Sequence, residues 1–336
     1  MGKYYSIEEF ITKNQEHFSV EEVPRYAKPI SAIDIEKMEF PPLFWIVNEI
    51  LTTGLFLLVA KPKIGKSWMA LNIAISVALG GMAMSFFKCN AADVIYIAYE
   101  DNMRRIQSRL LNISNQEKRT SSPANLYFYS IGDFPQLNNG GLDHLNFLLE
   151  QYENTKLIIV DTYGRGTKQM KSRNHNAFLD DYEYGALLQE FAIKHDVCLL
   201  IIHHTRKLQS DDPYDDISGT NGIQAAADGL LVLKQQNGKT FLHCRGKDIE
   251  ENSYEVEFKA GLWKIISKSE YLTNSVEQQE LIDCFKSDPT KVFRTSELAT
   301  ITGKTDSNIS HLCKKLMQSG HLIKVKNGCY RLGRAQ

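Results

Sequence analysis

The chain has 336 residues, and its 39 Lys and Arg nearly balance its 40 Asp and Glu, so that the formal net charge at pH 7 is −1. This balance excludes binding to nucleic acid or to a membrane through the charge of the whole molecule, and such binding has to come from local patches. The length predicts one large core and a smaller module, because single cores seldom exceed about 300 residues.

The cysteines and the apolar stretches indicate the compartment. Six cysteines lie far apart without a C-x-x-C pair, which is typical of a reduced protein without a zinc site. Residues 1–22 lack the apolar core of a signal peptide, and no apolar stretch approaches the roughly 20 residues that span a bilayer. We therefore expect a cytoplasmic protein without a membrane partner.

The first part of the chain differs in character from the rest. Residues 1–40 are charged, mixed and punctuated by proline, which predicts an N-terminal arm or linker. Within this arm, residues 31–38 favour a short helix. From residue 41 onward the chain alternates apolar, strand-like runs with helical patterns, and this alternation is typical of a parallel sheet covered by helices on both faces.

Later strand-like runs follow one another without intervening helices. Turn signals at Asn237-Gly238 and Ala260-Gly261 join them, which predicts a partly antiparallel edge of the same sheet. We therefore predict an α/β domain with a mostly parallel central sheet over residues 41–270.

A loop between a buried strand at residues 54–60 and an apolar helix at residues 68–79 has the context of a phosphate-binding loop. The predicted nucleotide-binding residues are Ala60, Lys61, Pro62, Lys63, Ile64, Gly65, Lys66, Ser67 and Trp68. Backbone N–H groups at the helix start would hold the phosphates, Lys66 would reach the β and γ oxygens, and the Ser67 hydroxyl would bind Mg²⁺. The alternative is a chance strand-turn-helix with a surface lysine.

Three further strands end in polar side chains. Asp161 would hold Mg²⁺ through water, although buried strands also end in an Asp that caps the next helix. Glu100 would activate the attacking water, unless Glu100 and Asp101 merely begin the next helix. His204 would donate a hydrogen bond toward the γ-phosphate, whereas His203 is predicted to pack. A purely structural role for His204 is the alternative.

These motifs in this order resemble RecA-like P-loop ATPases, and most closely the AAA-type family that includes the plasmid RepA hexameric replicative helicases. The resemblance runs from about residue 41 to residue 266. Besides the phosphate-binding loop, it rests on Phe40-Pro41-Pro42, Tyr99-Glu100-Asp101, Val160-Asp161-Thr162, His203-His204-Thr205-Arg206-Lys207, Ser218-Gly219-Thr220 and Ala225-Ala226-Ala227-Asp228.

The resemblance implies ATP and Mg²⁺ as cofactors and a homo-oligomer, expected to be a hexamer. The residues that it implies for hydrolysis are Lys66, Ser67, Glu100, Asp161 and His204. It also implies that a basic residue of the adjacent subunit completes each site and neutralises charge on the transferred phosphoryl group. Arg245 and Lys247 occupy the corresponding region. Which of the two acts stays open, as does the alternative of a solvated basic turn.

In the same superfamily, the loops after the Asp161 and His204 strands line a channel for single-stranded DNA. The first loop is basic and contains no acid, which suits the tracking of phosphates. Its candidate DNA-binding residues are Arg165, Lys168, Lys171 and Arg173. The second loop, residues 206–222, contains four aspartates and is the weaker candidate.

Residues 272–336 predict a small winged helix-turn-helix domain, because three helical patterns precede a hairpin around Asn327-Gly328. This domain has ten Lys and Arg against six Asp and Glu, a surplus that favours a nucleic-acid surface. Its candidate contacts to duplex DNA are Ser307, Asn308, Ser310 and His311. Docking of a replication partner protein, or a contact between subunits, is the alternative.

The sequence favours a DNA-dependent oligomeric ATPase, a helicase or translocase that acts on single-stranded DNA during replication. The alternative is an ATP-switched regulator of replication or transcription that assembles on duplex DNA without translocating. A small-molecule kinase would also carry a phosphate-binding loop, but that class explains neither His204 nor the C-terminal module.

Overall fold

A computed structural model provides the structure of the chain. It describes residues 29–167, 177–204, 213–214, 222–236, 238–269, 276–318 and 321–333. The chain divides into two compact units between Leu43 and Phe44. The described part of the first unit contains helix α1, Ala32–Glu36, whose N-cap hydroxyl on Ser31 accepts a hydrogen bond from the Asp34 N–H. This helix confirms the short helix predicted over residues 31–38.

Within the described residues before residue 270, the second unit contains a nine-stranded sheet, two small hairpins and six helices. The strands are β1 Trp45–Val47, β2 Leu51–Thr52, β3 Gly54–Ala60, β4 Met82–Ala83, β5 Phe87–Lys88, β6 Asp93–Ala98, β7 Leu126–Tyr129, β8 Thr155–Asp161, β9 Cys198–His204, β10 Gly229–Gln236, β11 Lys239–Gly246, β12 Asn252–Lys259 and β13 Leu262–Ser269. The helices are α2 Lys66–Leu79, α3 Met103–Gln116, α4 Leu142–Gln151, α5 Tyr163–Gly166, α6 Ala177–Lys194 and α7 Gly222–Ala226, with an irregular turn at Leu137–Gly141 before α4.

The large sheet has the order β13-β12-β11-β10-β3-β9-β8-β6-β7. The six strands from β10 to β7 run parallel, and β11, β12 and β13 extend the sheet antiparallel. This arrangement confirms the predicted mixed α/β fold with a mostly parallel central sheet. Because carboxyl ends of parallel strands share one edge, β3, β6, β8 and β9 deliver their following residues to one place.

Two hydrophobic clusters cover the two faces of the sheet. Every side chain of β3 is buried. Phe56 and Leu58 belong to one cluster, which includes much of α2, whereas Leu55 and Leu57 belong to the other, which includes Leu188 of α6. This alternation is the period-two pattern of a strand buried on both faces, and it explains the uninterrupted apolar run.

The antiparallel edge of the sheet is attached to α2 through a buried asparagine. Asn72 accepts a hydrogen bond from the Trp263 backbone N–H at 2.8 Å and donates one from Nδ2 to the Gly261 carbonyl at 3.1 Å. The other buried residues of α2 are apolar except for Lys66. A buried side-chain amide that satisfies two backbone groups of a turn fixes that turn to the helix.

We expect Asn72→Leu to lower the free energy of unfolding by about 1–3 kcal/mol, since it leaves one buried N–H and one buried C=O without their partners. Urea unfolding followed by circular dichroism measures this loss. Asn115→Leu, at an exposed position of α3, is the matched control and should shift the free energy by no more than about 0.5 kcal/mol. Equal stability of the two variants would show that the Asn72 bonds contribute nothing.

Residues 276–333 have a hydrophobic core of their own. Their helices are α8 Val276–Ser287, α9 Thr295–Thr302 and α10 Asp306–Gln318, and their strands are β14 Phe293–Arg294, β15 Leu322–Lys326 and β16 Cys329–Leu332. The strands form a sheet in the order β14-β16-β15. The predicted domain boundary, at residues 271–272, lies outside the described residues and stays a prediction. No helix within the described ranges has the length and apolar character that crossing a bilayer requires.

Candidate active site

The loop that joins β3 to α2 has a backbone suited to surrounding an anion. Lys63 and Gly65 have φ angles of +65° and +105°, which turn the chain sharply before the helix. Gly65 is the N-cap of α2 and has no side chain to cap the first N–H groups of the helix. These N–H groups and the positive end of the helix dipole are the elements that bind phosphate in proteins.

Lys66 is buried at the start of α2, with 6% of its surface exposed. Its Nζ donates hydrogen bonds to the carbonyl oxygens of Ala60 at 2.7 Å and Lys61 at 2.9 Å. Burial lowers the pKa of Lys66 from 10.5 to about 8, although the carboxylates of Asp161 and Glu100 act in the opposite direction. The lysine is therefore charged at neutral pH and loses its charge in mildly alkaline solution.

This lowered pKa sets an expected pH dependence for nucleotide binding. Above pH 8, Lys66 of the free protein is mostly neutral. A bound polyphosphate favours the charged lysine, so that each binding event takes up one proton from solution. We expect the affinity for an ATP analogue to fall by about tenfold per pH unit above that point. Titration at constant ionic strength measures it, and Lys88→Ala, at an exposed position of β5, should show the same slope. An affinity that stays constant to about pH 9.5 would contradict the role of the Lys66 charge.

Asp161 ends β8 and faces the start of α2. Its carboxylate is 2% exposed, accepts a hydrogen bond from the Tyr96 hydroxyl at 2.8 Å, and is also hydrogen-bonded to the Ser67 hydroxyl. Burial raises the pKa of Asp161, whereas the bonds from Ser67 and Tyr96 lower it. A buried carboxylate beside a hydroxyl is an oxygen donor set that fits Mg²⁺.

The described residues contain no group of three or more His, Cys, Asp or Glu side chains that could hold a metal ion by themselves. Mg²⁺ commonly keeps several waters and takes further ligands from substrate phosphates, so that two protein oxygens suffice. The structure therefore brings the predicted metal-binding residues Ser67 and Asp161 into hydrogen-bond contact, and their binding of Mg²⁺ stays a prediction.

Glu100 follows β6 and is exposed at the same edge of the sheet. Its Oε1 accepts a hydrogen bond from the Thr162 hydroxyl at 2.7 Å. The Tyr99 backbone N–H donates to the Asp161 carbonyl at 2.8 Å, which holds the ends of β6 and β8 together. Glu100 is thus an exposed carboxylate oriented by a buried threonine, and it lies beside the residues that the sequence assigns to the phosphates.

His204 ends β9, directly opposite Ala60 in the parallel register. Its Nδ1 lies 3.1 Å from the Lys66 Nζ, so that the imidazole nitrogen accepts from the ammonium. Burial, and then the Lys66 charge, lower the pKa of His204, whereas Glu100 raises it. The side chain is therefore neutral at pH 7. His203 instead meets the ring of Tyr163, with centroids 5.2 Å apart, as expected of a packing residue.

Two sets of contacts near the phosphate-binding loop were not predicted from the sequence. Asp101 is buried and forms ion pairs with Arg105, at 2.7 Å, and with Arg109. The Arg109 guanidinium also lies 5.4 Å from the centre of the Trp68 ring. Trp263 of β13 donates a hydrogen bond from its indole nitrogen to the Gly65 carbonyl at 3.0 Å. The ion pairs of Asp101 could have been predicted from the sequence, because Asp101, Arg105 and Arg109 are spaced four residues apart and such residues are neighbours on a helix.

Arg245 and Lys247 do not meet the loop of their own chain. Gly246 pairs with Gly229, and Gly229 with Phe56, which places both residues near the amino end of β3, whereas the loop follows its carboxyl end. Lys247 forms an ion pair with Asp228 at 2.8 Å. The Arg245 guanidinium lies 3.7 Å from the centre of the Tyr214 ring, and both basic residues line a cleft of about 550 Å³.

The predicted DNA contacts are described only in part. Arg165 is exposed on α5, directly after Asp161 and Thr162, whereas Lys168, Lys171 and Arg173 lie outside the described residues. On α10, Ser307 and His311 are exposed, but Asn308 and Ser310 are half-buried. Ile309, Leu312 and Leu316 of the same helix are in the core of this part of the chain.

The fold and the site define a nucleotide-binding protein of the P-loop type, with a parallel sheet whose strand ends surround a phosphate-binding loop. A family model described as an AAA domain matches residues 22–210, more than half of the chain, and the chain belongs to this family. The match supports nucleotide binding and an ATPase activity. No curated protein matches the chain.

Proposed function

We propose that the protein is an oligomeric, DNA-dependent ATPase that acts on single-stranded DNA, in the manner of a RepA-type replicative helicase. The observation that carries the proposal is the meeting of Lys66, Glu100, Asp161 and His204 at the carboxyl edge of four neighbouring strands. This set supplies a cation for phosphates, a carboxylate for water, oxygen ligands for a metal and a neutral imidazole.

Each residue of the site has its own role in ATP hydrolysis, which follows from its position. The N–H groups at the start of α2 and the Lys66 ammonium hold the triphosphate. Ser67 and Asp161 would hold Mg²⁺, which neutralises charge on the phosphate oxygens when bound. Glu100, oriented by Thr162, accepts the proton of the attacking water. His204 contacts Lys66, so that its hydrogen bonding changes when the γ-phosphate is lost.

The site of each chain is completed by a neighbour in this proposal. Arg245 and Lys247 lie away from the loop of their own chain, so that they can reach a phosphate only in another subunit. Lys247 is already paired with Asp228, whereas Arg245 stacks on a tyrosine ring, and we therefore favour Arg245 as the residue that acts in trans.

Mixing two inactive proteins tests the shared site. Lys66→Ala protein lacks the loop cation, and Arg245→Ala protein lacks the residue offered to a neighbour. Mixed assemblies contain some interfaces with both groups intact, so that ATP hydrolysis partly returns. Complete inactivity of the mixture, with mixed assemblies demonstrated by mass, would argue against a site shared between subunits.

Dependence on single-stranded DNA is the second test. Arg165 is exposed on α5, the short helix that begins two residues after Asp161, so that DNA bound at the start of the basic loop would be connected to the Mg²⁺ ligand through this short segment. We expect a single-stranded oligonucleotide to raise the rate of ATP hydrolysis several-fold and Arg165→Ala to reduce that stimulation. A rate that is the same with and without DNA would count against a single-strand motor.

An ATP-switched regulator bound to duplex DNA is the second candidate. The arrangement of α9, the turn at Gly303 and α10, followed by the β15–β16 hairpin, favours a winged helix-turn-helix with Ser307 and His311 exposed. This candidate requires duplex footprints that persist in Glu100→Gln protein and disappear when residues 272–336 are removed. Loss of the footprint together with hydrolysis would instead favour the motor.

A further inference from the structure

The indole ring of Trp263 packs against the phosphate-binding loop from the antiparallel edge of the sheet. Trp263 is 3% exposed, and its Nε1 donates to the Gly65 carbonyl at 3.0 Å. The same carbonyl accepts the first helical hydrogen bond of α2, from the Met69 N–H at 3.0 Å. One side chain from β13 thus holds the last residue of the loop before Lys66.

Trp263 is itself held in place from two directions. Asn72 of α2 binds the Trp263 backbone N–H and the Gly261 carbonyl. The indole ring also packs on Phe258, with ring centroids 5.0 Å apart. Asn72 lies on α2, the helix that directly follows the loop. The turn at Gly261, the Trp263 ring and the start of α2 are therefore one connected unit.

The bond to the Gly65 carbonyl fixes more than that oxygen. A trans peptide is planar, and its C=O and N–H point in opposite directions. A donor that fixes the Gly65 C=O therefore also fixes the direction of the Lys66 N–H, which is among the amides at the helix start that bind phosphate. Gly65 has φ +105°, and an added Cβ would lie 3.1 Å from the Trp263 ring, so that the two residues fit closely.

We propose that Trp263 is a positioning residue of the nucleotide site, which acts through the Gly65–Lys66 peptide to hold the Lys66 N–H in its phosphate-binding direction. This inference rests on the proposed function, because it assigns a role within the same site. Trp263 lies beyond residues 22–210, the part of the chain that matches the AAA domain. The role therefore belongs to the antiparallel extension of this chain.

Three variants separate the hydrogen bond from the packing of the ring. Trp263→Phe removes the indole N–H, Phe258→Leu removes the packing partner while the N–H remains, and Trp45→Phe makes the same chemical change in a different sheet. We expect Trp263→Phe to weaken binding of a non-hydrolysable ATP analogue by about threefold to tenfold, the range of one hydrogen bond. Trp45→Phe should bind within about twofold of the unaltered chain, and Phe258→Leu should weaken binding less than Trp263→Phe does, because it leaves the indole N–H in place.

The change should appear in KM rather than in kcat, because Glu100 and Asp161 keep their own partners. A second readout uses fluorescence. In a chain whose only tryptophan is Trp263, made by Trp45→Phe and Trp68→Phe, addition of the analogue should change the emission, since the indole N–H is bonded to the loop that binds it. Emission that is unchanged at saturation would overturn the proposal, because phosphates bound at the Lys66 N–H would place negative charge beside the loop that the Trp263 indole contacts.

The outcomes distinguish a failure of the Trp263 role from a failure of the proposed function. If the unaltered chain fails to bind the analogue, the proposed function fails and this inference fails with it. If the unaltered chain binds but Trp263→Phe binds equally well, or Phe258→Leu weakens binding as much as Trp263→Phe does, the positioning role is wrong and the proposed function stands.

Discussion

Lys66→Ala is expected to lower kcat/KM for ATP hydrolysis by about 100-fold to 1,000-fold, the usual loss when one group that stabilises transition-state charge is removed. Lys66 is buried beside Asp161 and Glu100, and its ammonium is the cation that the structure places at the start of α2. Steady-state hydrolysis at pH 7 measures the effect. The affinity for the ATP analogue should fall as well, because the same charge holds the substrate.

Lys88→Ala is the matched control, since it removes an exposed lysine of β5 that takes no part in the site. It should hydrolyse ATP at the unaltered rate. Circular dichroism establishes that both variants are folded, which matters because Lys66 also bonds to the Ala60 and Lys61 carbonyls. A folded Lys66→Ala protein with hydrolysis within about threefold of the unaltered chain would rule out the assigned role.

Glu100→Gln should abolish most hydrolysis while leaving nucleotide binding intact. The amide keeps the size of the carboxylate and can still accept the Thr162 hydrogen bond, but it cannot take a proton from water. General-base catalysis contributes about 100-fold to 10,000-fold, and we expect a loss of kcat in that range. Single-turnover hydrolysis and equilibrium binding of the analogue measure the two quantities separately.

Glu150→Gln, at an exposed position of α4, makes the same chemical change away from the site and should retain full activity. A Glu100→Gln protein that loses affinity as much as kcat would show that Glu100 serves binding or folding instead. Full activity of the Glu100→Gln protein would mean that another group is the general base. Asp101 is excluded from that role, because it is paired with Arg105 and Arg109.

The parallel core and its strand ends could be predicted from the sequence because their signals are local. An uninterrupted apolar run predicts β3, and the residue after each run falls at the carboxyl edge by the geometry of parallel sheets. Lys66, Glu100, Asp161 and His204 could therefore be assigned to one site, and the structure brings them together.

The supporting contacts could not be predicted in the same way. The bond between Trp263 and Gly65 joins residues 198 positions apart, and nothing local to either residue indicates the other. Asn72 offered a clue, since a polar residue on the buried face of an apolar helix needs a partner. Arg245 and Lys247 lie at the amino end of the parallel strands because β11 runs antiparallel to β10. The sequence predicted an antiparallel edge of the sheet but not the register of its strands.

We propose that each nucleotide site is half of an active centre, which a neighbouring subunit completes in an assembly around single-stranded DNA. The most direct measurement is the mass of the native particle with a non-hydrolysable ATP analogue, with and without single-stranded DNA. We expect a hexamer with the analogue, and this hexamer should retain one DNA strand when DNA is present. A particle that stays monomeric under both conditions would contradict it.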